Sequence, residues 1–166
     1  DIKLLGPIYG YQWRSFTGTD WISGEERHTD QIQYVVDRLN NHPDCRRIIM
    51  SAWHAFDLDL MALPPCHVMA HFRVSGDNKL SCLMYKRSAD MFLGVPFNIA
   101  SYSFLTYILA KHCGLEHYEF VYFLGNAHIY DDHMDSLKQQ IERVPYGFPS
   151  VSIETKRENI NDYCLD

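Results

Sequence analysis

Apolar residues recur at helical spacing in the first half of the chain. They occupy positions i, i+3, i+4 and i+7, at Ile32, Val35, Val36 and Leu39. This spacing predicts an amphipathic helix over residues 31–41. Asp30 precedes the first turn and is expected to cap it, and Pro43 follows the last turn, where a helix commonly stops.

A wider apolar stripe in the second half predicts the longest helix, over residues 96–112. Pro96 is placed at its first helical position, where a missing N–H is tolerated, and Gly114 serves as its C-terminal stop. A further helix is predicted over residues 132–143, where Met134, Leu137 and Ile141 share one face.

Alternating or continuous apolar runs between these helices predict β-strands. The strands are expected at residues 47–53, 66–74, 79–86 and 119–124, with a last one at Val151 and Ile153. Residues 17–30 are mostly polar and are expected to form a loop. Helices and strands of this order predict an α+β fold, and the lack of a linker or repeat predicts one domain over residues 1–166.

Composition narrows the functional classes. The 166 residues carry a formal net charge of −6, which argues against a general nucleic-acid binder. No apolar run is long enough to span a membrane, and no signal peptide is recognised at the start. The five cysteines are odd in number and show no CxxC spacing. They favour reduced thiols and a cytoplasmic protein. The nine histidines show no metal-binding pattern, so no metal site is predicted.

The candidate chemistry centres on Cys66, which lies between the diproline Pro64-Pro65 and His67. Arginines occur on both sides along the chain, at Arg46-Arg47 and at Arg87. A thiol reacts as its thiolate, which nearby cations favour, and arginine clusters bind phosphate. The combination indicates covalent chemistry on a phosphorylated small molecule, although a buried core cysteine would produce the same local pattern.

Six segments of the chain together resemble the thymidylate synthase family, in the family's order and at near-family spacing. They are GPIYGYQWR (6–14), RRIIMSAW (46–53), MALPPCH (61–67), RSAD (87–90), LGVPFNIASY (93–102) and HIY (128–130). The resemblance implies a mixed β-sheet packed against helices and a homodimer formed through the sheet. It also implies reductive methylation of deoxyuridylate (dUMP) to thymidylate (dTMP), with methylenetetrahydrofolate as cosubstrate and donor of both carbon and hydride.

The resemblance assigns roles at the nucleotide. Cys66 matches the nucleophile that adds to carbon 6 of uracil. Asn98 matches the residue that reads the uracil edge, where an amide can donate and accept at once. Arg87 and Ser88 match the residues that bind the nucleotide phosphate from the same subunit, and Arg46 and Arg47 match the pair donated by the partner subunit. His128 and Tyr130 match the pair that hydrogen-bonds to the sugar 3′-hydroxyl.

Further roles concern proton transfer and the folate. Tyr9 and His67 resemble members of the proton-transfer network, with His67 expected on the opposite strand face from Cys66. Asp90 resembles the carboxylate that contacts the pterin. The apolar wall around the folate is matched by Leu63, Leu93, Gly94 and Phe97.

The chain departs from the family pattern at His54, His71, Lys86 and Asn126, where Asn, Gln, Gln and Asp are usual. Segments matching the family's N-terminal third and C-terminal tail are not found, so the chain is expected to be a catalytic-domain portion that is inactive alone. A fusion to dihydrofolate reductase stays open.

Two other functions also remain open. One is a pyrimidine-monophosphate hydroxymethylase on the same scaffold, and the other is a catalytically silent nucleotide- or RNA-binding homologue.

Overall fold

A computed structural model describes residues 5–164 of the protein. Its α-helices are α1 Gly10–Arg14, α2 Gln31–Asn41, α3 Gly94–Cys113 and α4 Met134–Ile141. Its strands are β1 Phe16–Thr19, β2 Glu26–Thr29, β3 Ile49–Ser51, β4 His67–Val74, β5 Lys79–Asp90 and β6 Glu116–His128. Short 3₁₀ turns lie at Ala55–Leu60, Asp131–His133 and Ile160–Asp162.

Four strands form the central sheet in the order β3-β4-β5-β6. The β3–β4 and β4–β5 pairs are antiparallel, whereas β5 and β6 are parallel. β5 and β6 are parallel because α3 carries the chain back to the end of the sheet at which β5 begins, and β6 starts from there. The α+β class and the mixed sheet packed against helices are therefore confirmed.

The hydrophobic core lies between one face of this sheet and the helices α2 and α3. The apolar stripe of α2 is buried, as its spacing predicts. Asp30 caps the helix by accepting a hydrogen bond from the Gln33 backbone N–H at 3.0 Å. On the sheet side the fully buried positions alternate along the strands, at Met50, Phe72, Leu80, Cys82 and Met84.

The long helix is confirmed, with its ends shifted outward. It begins at Gly94, so Pro96 occupies the third helical position, where its missing N–H still breaks no helical hydrogen bond. Gly114 ends it in the left-handed conformation with φ 71°, as a C-terminal glycine does. The helix predicted over 132–143 is shorter, because its first turn is the 3₁₀ turn that precedes α4.

Strand lengths differ from the prediction because the apolar pattern of the sequence and the backbone pairing in the sheet do not end at the same residues. The apolar pattern ends β5 at residue 86, but its pairing with β6 continues to Asp90 and His128. Conversely, only Ile49–Ser51 of the predicted 47–53 strand is paired.

Two predictions of local structure are wrong. Residues 17–30 contain the β1–β2 hairpin, whose turn is held by Asp20 accepting from the backbone N–H groups of Ile22 and Ser23. This hairpin is largely exposed, so it lacks the apolar alternation that marks a strand in sequence. Val151 and Ile153 alternate correctly but form no strand among the described residues, because alternation needs a partner edge to become a strand.

The second face of the sheet carries apolar side chains that no helix covers within residues 5–164. Ile49, Tyr85 and Phe123 are 40%, 43% and 53% exposed on it. We call this surface the outer sheet face, and its members are Ile49, Met69, His71, Leu83, Tyr85, Val121 and Phe123. An apolar surface of this kind is typical of an interaction site.

Phe72→Ala is expected to lower the free energy of unfolding by about 3–5 kcal/mol, because it opens a cavity in the middle of the core. Urea denaturation measures the loss. Phe148→Ala is the matched control, since Phe148 is fully exposed and its removal should change stability by less than about 0.5 kcal/mol. Equal losses for the two variants would show that Phe72 is not a core residue.

Candidate active site

The peptide around Cys66 is fixed by Arg87 on the adjacent strand. The guanidinium donates from Nε to the Pro65 carbonyl at 3.0 Å and from Nη2 to the Pro64 carbonyl at 2.7 Å. The Arg87 backbone N–H donates to the Cys66 carbonyl at 2.9 Å. The arginine also lies over the Trp53 ring, 5.6 Å from its centroid. One cation thus holds the half-buried cysteine and its diproline against the end of β5.

Tyr9 contacts the same cysteine from the N-terminal segment. Its hydroxyl accepts a hydrogen bond from the Cys66 backbone N–H at 2.9 Å. Tyr9 has φ 27°, a conformation that non-glycine residues rarely adopt and that is often found at functional sites. Burial raises the pKa of Tyr9, so the phenol stays protonated at neutral pH.

His67 follows the cysteine and packs between two tyrosines. Its ring lies 5.0 Å from the Tyr9 ring, and Nδ1 lies 3.3 Å from the Tyr102 hydroxyl. Burial lowers the pKa of His67, and the positive charge of Lys86 lowers it further, while a hydrogen bond to Asn98 opposes them. The imidazole is therefore neutral at pH 7. Cys66 precedes β4, so strand alternation does not relate its side chain to that of His67.

Asn98 lies in the first turns of α3, and its amide oxygen is already hydrogen-bonded. Oδ1 accepts from Lys86 Nζ at 2.5 Å and from the Tyr122 hydroxyl at 3.1 Å. Lys86 is only 3% exposed. Burial raises the pKa of Tyr122 to about 12, so its hydroxyl remains a hydrogen-bond donor. Lys86 and Tyr122 occupy both lone pairs of the amide oxygen, so the amide NH₂, with its two N–H donors, is the part that can bind a ligand beside the contact with His67.

The other residues that are expected to bind the nucleotide lie together at the carboxyl ends of β5 and β6. Ser88 pairs with Asn126, and Asp90 pairs with His128. His128 Nδ1 lies 3.0 Å from Asn126 Oδ1, and its ring lies 5.0 Å from that of Tyr130. Parallel pairing thus places Ser88 and His128 at one edge of the sheet, two residues apart in register.

Asp90 also organises the turn into α3. Its carboxylate accepts from the backbone N–H groups of Phe92 at 3.0 Å and Leu93 at 3.4 Å. Desolvation alone would raise the pKa of Asp90, but hydrogen bonds from the backbone N–H groups of Phe92, Leu93 and Gly94 outweigh it and lower the pKa. Asp90 is therefore a carboxylate at neutral pH.

Exposed apolar side chains lie at the start of α3 and in the loop that precedes Cys66. Leu63, Leu93 and Phe97 are 64%, 46% and 70% exposed. Gly94 is enclosed instead, since a Cβ there would lie 2.9 Å from Lys86 Nζ. The three apolar side chains are available to pack against a ligand, whereas the glycine makes room for the lysine.

Arg46 and Arg47 lie elsewhere in the subunit, in the turn before β3. They line a cavity formed by residues 38–47, which include Arg38 and Cys45 but no member of the Cys66 cluster. Two hydrogen bonds from Arg47 lower the pKa of the Cys45 thiol, and the bond from its backbone N–H has a larger effect than the bond from its guanidinium. The structure therefore separates this arginine pair from the other candidate residues.

A buried polar network near the N-terminal segment was not predicted from the sequence. Gln12 is fully buried, and its Nε2 donates to Asp57 at 2.7 Å. His54 Nδ1 lies 3.4 Å from the same carboxylate, and its Nε2 lies 2.8 Å from the Thr17 carbonyl. His54, a departure from the family pattern, thus joins the β1–β2 hairpin to this network. Tyr122 was also missed, although its alternation with Phe120 on β6 could have placed it on the inner face.

Within residues 5–164, no group of three or more His, Cys, Asp or Glu side chains is arranged to hold a metal ion. No helix in the same part of the chain is long and apolar enough to cross a membrane.

Comparisons with known proteins agree with this arrangement. The family model for thymidylate synthase matches residues 1–166. A bifunctional dihydrofolate reductase-thymidylate synthase of Plasmodium chabaudi is 49% identical over 99% of this chain and 29% of its own length. A thymidylate synthase 1/2 of Encephalitozoon cuniculi is 54% identical over 92% of this chain and 52% of its own length. The Saccharomyces cerevisiae thymidylate synthase is 48% identical over 97% of this chain and 57% of its own length. The chain thus spans less than two thirds of these relatives.

The half-buried, neutral His67 is expected to make stability depend on pH. Its folded-state pKa lies below the value of 6.5 for an exposed histidine, so the unfolded chain binds the proton more readily. This contribution to the free energy of unfolding is complete above about pH 6.5 and is lost as the pH falls through the folded-state pKa. Urea denaturation between about pH 7.5 and 5.5 measures the slope.

His67→Gln should flatten the curve relative to wild type, while His42→Gln, at an exposed position, should leave it unchanged. Parallel curves for wild type and His67→Gln would contradict the assignment.

Proposed function

Because the chain belongs to the thymidylate synthase family, we propose that the protein converts dUMP to dTMP by reductive methylation. The observation that carries the proposal is the position of Cys66, which Arg87 and Tyr9 hold beside the cluster of His67, Lys86 and Asn98. A thiol, a cationic anchor and an amide that can read a base are thereby placed at one end of the sheet.

Cys66 serves as the nucleophile. Its thiolate adds to carbon 6 of uracil, the ring electrons move onto the carbon 4 oxygen, and carbon 5 becomes the nucleophilic centre. Carbon 5 would then form a bond to the one-carbon unit that methylenetetrahydrofolate supplies, and loss of the carbon 5 proton would accompany cleavage of the bond between that carbon and the folate nitrogen. Hydride supplied to the same carbon, with departure of the Cys66 thiolate, would restore the double bond between carbons 5 and 6 and leave a methyl group. Tyr9 and His67 order the water that receives the carbon 5 proton, and the pKa shifts that keep both groups uncharged at neutral pH support this role over direct proton abstraction by a charged base.

The nucleotide lies along the carboxyl ends of β5 and β6. Arg87 uses two of its side-chain N–H groups on the proline carbonyls, which leaves others for the phosphate beside Ser88. His128 and Tyr130 bind the sugar hydroxyl from the neighbouring strand. Asn98 donates its NH₂ to the carbonyl at carbon 4, because its oxygen is held by Lys86 and Tyr122.

The residues at the start of α3 fit methylenetetrahydrofolate. A pterin is flat and largely apolar with polar edges. The exposed Leu93 and Phe97 offer it an apolar surface next to the Asp90 carboxylate, and Leu63 is exposed in the loop before Cys66. When bound, the folate supplies the one-carbon unit and the hydride. The chain's own role is to hold it against the pyrimidine and to exclude water from the reacting atoms.

Two copies of the chain form the complete site. The outer sheet face is an exposed apolar surface of the kind that a homodimer buries. Arg46 and Arg47 are exposed and lie apart from Cys66 in their own subunit, which suits donation to the phosphate of the partner. Free thiols at Cys45, Cys66, Cys82 and Cys113 support a cytoplasmic setting.

Cys66→Ser in the full-length protein is expected to abolish dTMP formation, with a loss of at least about 10³-fold, while dUMP still binds. Mass spectrometry of the product measures turnover and also separates methyl from hydroxymethyl products. Cys113→Ser, at a half-buried thiol away from the site, is the control and should keep activity. Loss of dUMP binding in step with activity would mean that Cys66 is structural.

Complementation tests the shared site. The Arg46→Gln/Arg47→Gln double variant and Cys66→Ser should each be inactive alone. In a mixed dimer, one site combines the intact cysteine of one subunit with the intact arginines of the other, and random association makes about half of the dimers mixed. Coexpression should therefore restore about a quarter of wild-type activity. A mixture as inactive as its components would rule out donation of the arginines across the dimer.

A further inference from the structure

Lys86 is a buried cation to which the proposed reaction assigns no step. It lies on β5 opposite His67, the residue that follows the nucleophile. Its side chain is on the inner face of the sheet, 3% exposed, and its ammonium lies 2.5 Å from Asn98 Oδ1. The missing Cβ of Gly94 provides the space that the ammonium occupies.

This position is unfavourable for a lysine by ordinary rules. Burial lowers the pKa of Lys86, and electrostatic interactions with Cys66 and Asp90 only partly offset the effect. Among residues 5–164, none of the lysine–carboxylate ion pairs includes Lys86. The ammonium also lies at the start of α3, where the positive end of the helix dipole repels a cation. Stability alone therefore does not account for a lysine here.

The hydrogen-bond chemistry of Lys86 does account for it. An ammonium only donates, so the Asn98 group that faces it must be the oxygen. Neither Tyr122 nor the neutral His67, which also hydrogen-bonds to Asn98, can impose this choice, because a phenol hydroxyl and a neutral imidazole can each either donate or accept. With the oxygen turned toward Lys86, Asn98 is left with its NH₂ for the pyrimidine.

We propose that Lys86 is a positioning residue for substrate selection, which fixes the Asn98 amide so that the site accepts a pyrimidine with a carbonyl at carbon 4 and rejects one with an amino group there. The inference rests on the proposed function and deepens it. A cytosine nucleotide would place its amino donors against the Asn98 NH₂, whereas a uracil nucleotide offers an acceptor. Without Lys86 the amide could rotate and accept from the cytosine amino group.

Binding of dUMP and deoxycytidylate to the full-length protein tests this, by isothermal titration calorimetry. Lys86→Met keeps the length of the side chain but removes its donors, and it should reduce the preference for dUMP about tenfold or more. Lys86→Gln can still donate one hydrogen bond and should lie between Lys86→Met and wild type. Lys79→Met is the matched control, since Lys79 lies on the same strand and pairs with Asp77 at the surface.

A double-mutant cycle separates positioning from a structural role. In an Asn98→Ala background there is no amide to orient, so Lys86→Met should no longer change the ratio of the two affinities. A ratio that falls equally in both backgrounds would overturn the proposal, as would wild-type preference in Lys86→Met. If wild-type protein binds neither nucleotide, the proposed function fails first, and this result is distinct from a failure of Lys86 alone.

Discussion

The strand β5 imposes the constraint on which both the core and the site depend. It pairs with β4 on one side and β6 on the other, so its side chains must alternate between the two faces of the sheet. On the inner face Leu80, Cys82 and Met84 are fully buried in the core, and the next inner positions are Lys86 and Ser88. The apolar inner positions of β5 are thus followed directly by polar inner positions on the same strand. Packing of the apolar positions in the core therefore fixes which β5 residues face the site.

Several buried polar groups that join the N-terminal segment to the sheet are held by protein partners rather than by solvent. Gln31 illustrates this, because its Nε2 donates to the carbonyls of Gln12 and Ser51 at 2.8 Å each, and its Oε1 accepts from the Ser51 N–H. Displacement of the N-terminal segment would break these bonds and leave further buried polar atoms unsatisfied, in addition to Gln12 Oε1 and His54 Nδ1, which have no hydrogen-bond partner among the described residues. The strained Tyr9 is held in place by this surrounding structure.

The sequence predicts the main architecture well, for physical reasons that can be identified. The helix over residues 31–41 is found at Gln31–Asn41, because burial of a single stripe requires the 3.6-residue period. The β1–β2 hairpin could not be predicted this way, since exposed strands carry no such signal. For the candidate site, local sequence indicates which residues are chemically capable, and the resemblance supplies their roles. It does not show that the Asn98 oxygen is occupied or that Arg87 holds the diproline, because these contacts join positions distant in sequence.

The parallel pairing of β5 with β6 has a consequence for how the molecule is assembled. The β4–β5 hairpin closes over the short turn at residues 75–78, so β4, which begins beside Cys66, can pair early. The β5–β6 ladder requires the whole crossover of residues 91–115 to close first, and closing a long loop slows folding. During synthesis, the edge of β5 therefore stays unpaired until the ribosome has released β6, and over this interval it is open to pairing with another nascent chain.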